Sequence, residues 1–88
     1  MDINGQIWSL GQCLRGRIPD DIIEDALEYL DHNEWGLSFE LFCSNICDFR
    51  VPLSFDEFSL IQEIDRKCCF VLTPEYRSNL SMLCNSIN

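Results

Sequence analysis

Apolar residues recur along this chain at steps of three and four residues, and this spacing constrains the fold more than any other feature. The clearest stripe is Ile23, Ala26, Leu27 and Leu30. Because an α-helix turns once every 3.6 residues, such spacing places these side chains on one helical face. No segment alternates apolar and polar residues with a period of two, as a half-buried strand would. The pattern therefore predicts an all-α fold.

Capping and helix-breaking residues divide the chain into five predicted helices joined by short connections. Ser54 and Glu57 have the spacing of a capping box, and Thr73 precedes a proline at the first position of a helix. Asp20 is expected to cap the second helix. Four of the helices are predicted over 3–14, 20–31, 34–48 and 74–85. The remaining helix, the fourth, is predicted to begin at Ser54 and to end before 69–72, an ambiguous apolar stretch that could be a buried turn.

One apolar face of each helix is expected to point inward, and 88 residues suffice for a single compact domain, 1–88, with a radius of gyration of roughly 12 Å. Besides the stripe of the second helix, the predicted inward residues are Ile7, Trp8, Leu10 and Leu14 in the first helix, Trp35, Phe39, Phe42, Ile46 and Phe49 in the third, Phe55, Phe58, Ile61, Ile64 and Cys68 in the fourth, and Tyr76, Leu80, Leu83, Cys84 and Ile87 in the fifth.

The charge balance excludes several classes of partner. Fifteen Asp and Glu stand against six Lys and Arg, giving a net charge of −9. Nucleic acids and anionic membranes both require a cationic surface, so neither is an expected partner. The first residues do not form a signal peptide, and the longest apolar run, 68–72, is too short to span a bilayer. We therefore expect a cytoplasmic protein.

The six cysteines, at positions 13, 43, 47, 68, 69 and 84, include no C-x-x-C pair. In a reducing compartment, small buried hydrophobes are the favoured interpretation, with no metal or cofactor. A metal or redox protein using Cys43, Cys47, Cys68 and Cys69 is the alternative.

The chain is not expected to be an enzyme, because its one histidine, His32, has no accompanying nucleophile motif and no glycine-rich phosphate loop occurs. His32 is expected to be exposed or to cap a helix.

The acidic run from Asp20 to Asp48 carries the strongest functional signal, with nine carboxylates and no Lys or Arg. Like charges three or four residues apart cost a helix roughly 0.2–0.5 kcal/mol per pair. The run is therefore either a solvated face or a surface for a partner, and Trp35 is either a core residue or an apolar anchor beside it. The candidate partner-binding residues are Asp21, Glu24, Asp25, Glu28, Asp31, Glu34 and Trp35.

Residues 26–64, about half the chain, resemble the MafI-type immunity proteins and the small helical CdiI proteins of bacterial contact-dependent inhibition. The shared pattern is a helix, a turn containing a histidine, a Glu-aromatic-Gly step, and a helix with an internal glutamate. Ser38 stands where that family more often has alanine. The residues that carry the resemblance are His32, Glu34, Trp35, Gly36, Glu40, Leu41 and Asn45, followed by 51–54 with Glu57 and Ile61.

The resemblance implies a non-enzymatic protein that binds the C-terminal toxin domain of a delivered effector and protects the producing cell. Toxins paired with this family include EndoU-type ribonucleases. The charge agrees with this independently, because a ribonuclease cleft is cationic and an acidic face complements it. The alternatives are an acidic helical adaptor, the cysteine-based protein above, and a nucleic-acid mimic that inhibits a DNA-binding protein.

Overall fold

Five helices account for most of the chain in the computed structural model, which describes residues 2–85. They are α1 (Ile3–Cys13), α2 (Asp20–Asp31), α3 (Trp35–Asp48), α4 (Phe55–Lys67) and α5 (Pro74–Asn85). The part of the chain described contains no strand. The predicted all-α architecture is confirmed, and most helix ends lie within one residue of their predicted positions. No helix between residues 2 and 85 has the length and apolar character needed to cross a membrane.

Helix α3 lies at the centre of the array and packs against α1, α2 and α5, while α4 packs against α1 and α5. Its inner face contributes Phe39, Phe42, Cys43 and Ile46, all at most 1% exposed. Each large apolar side chain buried in this way stabilises the fold by roughly 1.5–3 kcal/mol. The radius of gyration is 11.8 Å, in agreement with the expected compactness.

Gly11 allows α1 to approach α2 and α3 closely. A Cβ atom at this position would lie 3.0 Å from Cζ of Phe42 and 3.3 Å from Cδ2 of Leu27. Glycine weakens a helix by roughly 0.8–1 kcal/mol relative to alanine. Here the missing side chain makes room for the ring at the centre of the core.

Two of the three predicted helix caps are confirmed. The Glu57 amide donates to Ser54 Oγ at 3.1 Å and the Ser54 amide donates to Glu57 Oε1 at 2.9 Å, while the Tyr76 amide donates to Thr73 Oγ1 at 3.2 Å. The predicted Asp20 cap is wrong, because Pro19 occupies the N-cap position without a side-chain hydrogen bond and Asp20 is the first helical residue. Its carboxylate instead accepts a hydrogen bond from Arg15.

Several side chains predicted to point inward are exposed, and each has a local reason. Trp8 is 55% exposed because it lies about 100° around α1 from its buried neighbour Ile7. Phe49 is the C-cap of α3 and Phe55 the first residue of α4, and they are 46% and 75% exposed. Ile87 lies outside the described residues.

The turn between α4 and α5 is only partly buried, and one buried carboxylate supports it. Asp65 Oδ1 accepts a hydrogen bond from the Leu72 amide at 3.1 Å, and Oδ2 accepts one from Arg77 Nε at 3.1 Å. Leu72 is buried, whereas Cys69 and Phe70 are exposed and both have a φ of 60°. The Arg77 guanidinium lies 5.3 Å from the centre of the Phe70 ring. These contacts fix a turn whose backbone L-residues rarely adopt.

Candidate protein-binding surface

The seven candidate partner-binding residues are all exposed, and four of them, Asp25, Glu28, Glu34 and Trp35, line adjoining depressions of the surface. At 100° per residue, the five candidate carboxylates of α2 fall within about 120° of the helix, with Asp31 and Glu24 at one edge of this acidic face and Asp25 at the other. Glu24 Oε1 accepts a hydrogen bond from Arg15 at 2.6 Å, which raises the pKa of that guanidinium. The connection before α2 therefore supplies a cation for the acidic helix, which the acidic run itself lacks.

The Asp25 edge of this acidic face borders a groove that continues across α3. Three adjoining depressions, of about 410, 390 and 390 Å³, share lining residues and so form one open surface, which we call the α3 groove. Tyr29 and Leu41 belong to the first and second depressions, and Leu37, Glu40 and Val71 to the second and third. The remaining lining residues are Asp25, Glu28, His32, Asn33, Glu34, Trp35, Gly36, Ser44, Cys68, Leu72, Thr73 and Tyr76.

The floor of the α3 groove is the outward face of α3. Leu37, Glu40, Leu41 and Ser44 follow one another at the spacing of a single helical face, on the side opposite the buried phenylalanines. Helix α2 forms one wall, and the residues from Val71 to Tyr76 form the other. Helix α3 thus presents an apolar face to the core and a second, mixed face to the outside.

Two hydrogen bonds position the floor and the α2 wall. The buried Ser38 hydroxyl donates to the Ala26 carbonyl at 2.7 Å, which joins α3 to α2. Alanine at position 38 has no hydroxyl and could not form this hydrogen bond between α3 and α2. Asn45 Nδ2 donates to the Leu41 carbonyl at 2.9 Å, one turn earlier in the same helix.

The α3 groove is anionic throughout the lining that the structure describes. It includes four carboxylates, those of Asp25, Glu28, Glu34 and Glu40, and neither Lys nor Arg. Two other depressions of the described surface each contain an arginine, Arg77 in one and Arg50 in the other. Charges of one sign lining a cleft strengthen the local field, so this groove would attract a cationic partner.

Large apolar side chains are exposed among these carboxylates. Tyr29, Trp35 and Leu37 are 41%, 37% and 48% exposed. Tyrosine and tryptophan are the residues most often responsible for binding energy at protein interfaces. The partial exposure of Trp35 agrees with a role as an anchor and not with a core position.

Sequence reasoning did not identify Tyr29, Leu37, Glu40 or Leu41, which line the groove, as candidate binding residues. A signal was available, because Leu37 and Leu41 are four residues apart on the side of α3 opposite Phe39 and Phe42. When a helix has apolar residues on two opposite sides and only one of them packs in the core, the other side is available for contact with a partner. His32, expected to be exposed or capping, is both, since it is the exposed C-cap of α2 and borders the groove.

The cysteines divide into buried and exposed thiols, and none of the six, all within residues 2–85, forms a disulfide. Cys43, Cys68 and Cys84 are buried, but the expectation of burial is wrong for Cys13 and Cys69, which are exposed. Burial raises the pKa of Cys43 well above its ordinary value and that of Cys68 to about 11. Since the thiolate is the reactive and metal-binding form, these raised pKa values favour the less reactive protonated thiol at neutral pH.

No cluster of three or more His, Cys, Asp or Glu side chains within the described part of the chain is arranged to hold a metal ion.

Comparison of the chain with models of known families, with curated proteins and with solved structures finds no match. The residues themselves define the class of molecule, which is a compact all-α domain with an open anionic groove lined by aromatic and aliphatic side chains.

Proposed function

We propose that this protein is a bacterial immunity protein that neutralises a toxic nuclease by binding it stoichiometrically. The observation that carries the proposal is the α3 groove, which combines four carboxylates with exposed tyrosine, tryptophan and leucine side chains and has neither Lys nor Arg in its described lining. The resemblance of residues 26–64 to the MafI-type and CdiI families supports the same function. An EndoU-type ribonuclease domain is the proposed partner.

The proposed inhibition follows from charge and shape. A ribonuclease holds a polyanion, so its active-site cleft is lined by cations, and a protein with a net charge of −9 is attracted to it. The groove carboxylates would compete with RNA phosphates for those cations. Trp35 and Tyr29 would supply the apolar contacts that slow dissociation.

The seven candidate residues would then have two different roles. Asp25, Glu28, Glu34 and Trp35 lie in the groove and would contact the toxin directly. Asp21, Glu24 and Asp31 lie outside it and would act at longer range, by steering the two proteins together. Because Glu24 is paired with Arg15, its contribution should be the smallest of these.

Isolation of the partner tests the proposal. The tagged protein is purified from cells that naturally produce it, and the captured chain is identified and assayed for RNA cleavage with and without added protein. The expected result is a one-to-one complex with a basic nuclease domain whose cleavage stops at equimolar protein. A partner without nuclease activity, or a nuclease that still cleaves RNA when saturated, would show an acidic adaptor instead.

A further inference from the structure

The outward face of α3 has the form of a floor between two raised walls. From Trp35 to Ser44 it extends ten residues, which corresponds to about 15 Å of helix. Leu37, Leu41 and Ser44 lie along its axis at helical spacing, with α2 on one side and the start of α5 on the other. A row of this spacing between two flanking ridges is the surface onto which another helix packs.

We propose that the α3 groove receives a single amphipathic helix of about three turns from the partner. The apolar stripe of this incoming helix lies on α3, and both of its flanks carry Lys or Arg. This inference rests on the proposed function and specifies the part of the toxin that is recognised. The apolar stripe of the incoming helix would contact Leu37, Leu41 and Tyr29. Its flanking cations would pair with Asp25 and Glu28 on one side and Glu40 on the other.

Charge decides which occupant the groove accepts. A second copy of this chain brings another net charge of −9, and no described helix of the chain carries more than two Lys or Arg. An acidic or neutral helix would leave the groove carboxylates facing one another without compensation. The cationic flanks are therefore a requirement of the groove and not an added preference.

The experiment uses a variant with one tryptophan as the reporter. The chain has two tryptophans, so Trp8→Phe leaves Trp35, at the edge of the groove, as the only source of tryptophan fluorescence. The probe is a synthetic 14-residue peptide of leucine and lysine, with leucines at positions i, i+3, i+4 and i+7. A peptide of identical composition with the leucine spacing scrambled is the control for attraction by charge alone.

Two further variants separate the groove from the remaining apolar surface. Leu37→Ser removes an apolar side chain from the floor, and Phe55→Ser removes one, 75% exposed, outside the groove. We expect saturable one-to-one binding of the amphipathic peptide, weakened about tenfold or more by Leu37→Ser and less than about twofold by Phe55→Ser. Circular dichroism verifies that both variants fold, which their exposed positions favour.

Three results would overturn the inference: no saturable binding, equal binding of the scrambled peptide, or equal effects of the two serine variants. The proposed function is judged separately. If the toxin domain is inhibited while Leu37→Ser has no effect on its binding, the function stands and the groove is not the docking site. If the peptide occupies the groove but no nuclease is captured, the groove stands as a helix-binding site and the proposed function fails.

Discussion

Single residues determine how closely the helices approach each other, and two glycines show this in opposite ways. A Cβ at Gly11 would lie 3.0 Å from the buried ring of Phe42, whereas at Gly36 it would meet nothing within 4 Å. Both glycines lie in helices, where alanine is intrinsically better by roughly 1 kcal/mol. The same substitution should therefore change stability in opposite directions at the two positions.

We expect Gly11→Ala to lower the free energy of unfolding by about 1 kcal/mol or more, because crowding of Phe42 outweighs the gain in helix propensity. Gly36→Ala should raise it by about 0.5 kcal/mol. Urea denaturation followed by circular dichroism measures both. Stabilisation by Gly11→Ala would mean that α1 can move away from α3 without loss.

Left-handed backbone at non-glycine residues is a second feature of the residue scale. Asn33, Arg50 and Cys69 each follow a helix with a positive φ, and the next amide bonds back to the carbonyl five residues earlier, at 2.8, 3.0 and 2.8 Å. Glycine usually occupies this position because it has no Cβ to clash. Asparagine also tolerates the left-handed conformation, but at Arg50 and Cys69 the hydrogen bonds of the helix ends, and not the residue type, hold the turn.

Cys69 and Cys13 allow a matched test of this strain, since both are exposed thiols in different backbone conformations. Cys69→Gly should raise the free energy of unfolding by about 0.5–1 kcal/mol, because the left-handed conformation no longer carries a penalty. Cys13→Gly, at the last position of α1, should lower it by a few tenths. Equal effects in urea denaturation would contradict a strained turn at position 69.

At the scale of the element, α4 has the best-defined start of the five helices. Glu57 completes the capping box with Ser54 and also pairs with Arg17, whose Nη1 donates to Glu57 Oε1 at 3.2 Å and to the Pro52 carbonyl at 3.0 Å. One carboxylate thus joins the connection between α1 and α2 to the start of α4. Burial raises the pKa of Glu57, but the hydrogen bonds from Arg17 and Ser54 outweigh it and hold the pKa below its ordinary value.

The depressed pKa gives a prediction for the dependence of stability on pH. A carboxylate whose pKa is lowered by folding contributes stability above its unfolded pKa, and this contribution is lost as the pH falls through the folded value. Glu57→Gln keeps a hydrogen-bond acceptor for the Ser54 amide and removes only the charge. We expect it to cost about 1 kcal/mol at pH 7 and clearly less at about pH 3, as measured by urea denaturation. A cost that is the same at both pH values would contradict the charged role.

The helix ends could be predicted from the sequence because their signals are local. The Ser54–Glu57 box and the Thr73 cap depend on residues within one turn, and the structure confirms both. The predicted Asp20 cap is wrong because Pro19 occupies the N-cap position, and the contact of the Asp20 carboxylate with Arg15 is not visible in spacing either. The exposure of Phe55 and Phe49 was missed for a similar reason, since helical spacing does not show where the neighbouring helices end.

At the scale of the whole molecule, charge and apolar surface are distributed unevenly. Of the α2 carboxylates predicted to form one face, Asp25 and Glu28 line the α3 groove, whereas Glu24 pairs with Arg15. Asp25, Glu28, Glu34 and Trp35 could be predicted as candidates from the acidic run. The spacing of Leu37 and Leu41 signalled a second apolar side of α3, but the walls that make this side a groove appear only once α3 is placed between α2 and α5.

The proposed steering of a cationic partner onto the α3 groove is the central claim, and association kinetics test it most directly. Asp25→Asn with Glu28→Gln removes two charges from the groove, and Asp48→Asn with Glu63→Gln removes two exposed charges elsewhere, so the variants are matched in net charge and residue type. Binding to the captured nuclease domain is followed by stopped flow at low and at physiological ionic strength. We expect the groove pair to slow association about fivefold or more at low salt, the control pair to slow it less than about twofold, and added salt to reduce the difference. Equal rates for the two pairs would contradict the claim, because net charge alone would then account for the attraction.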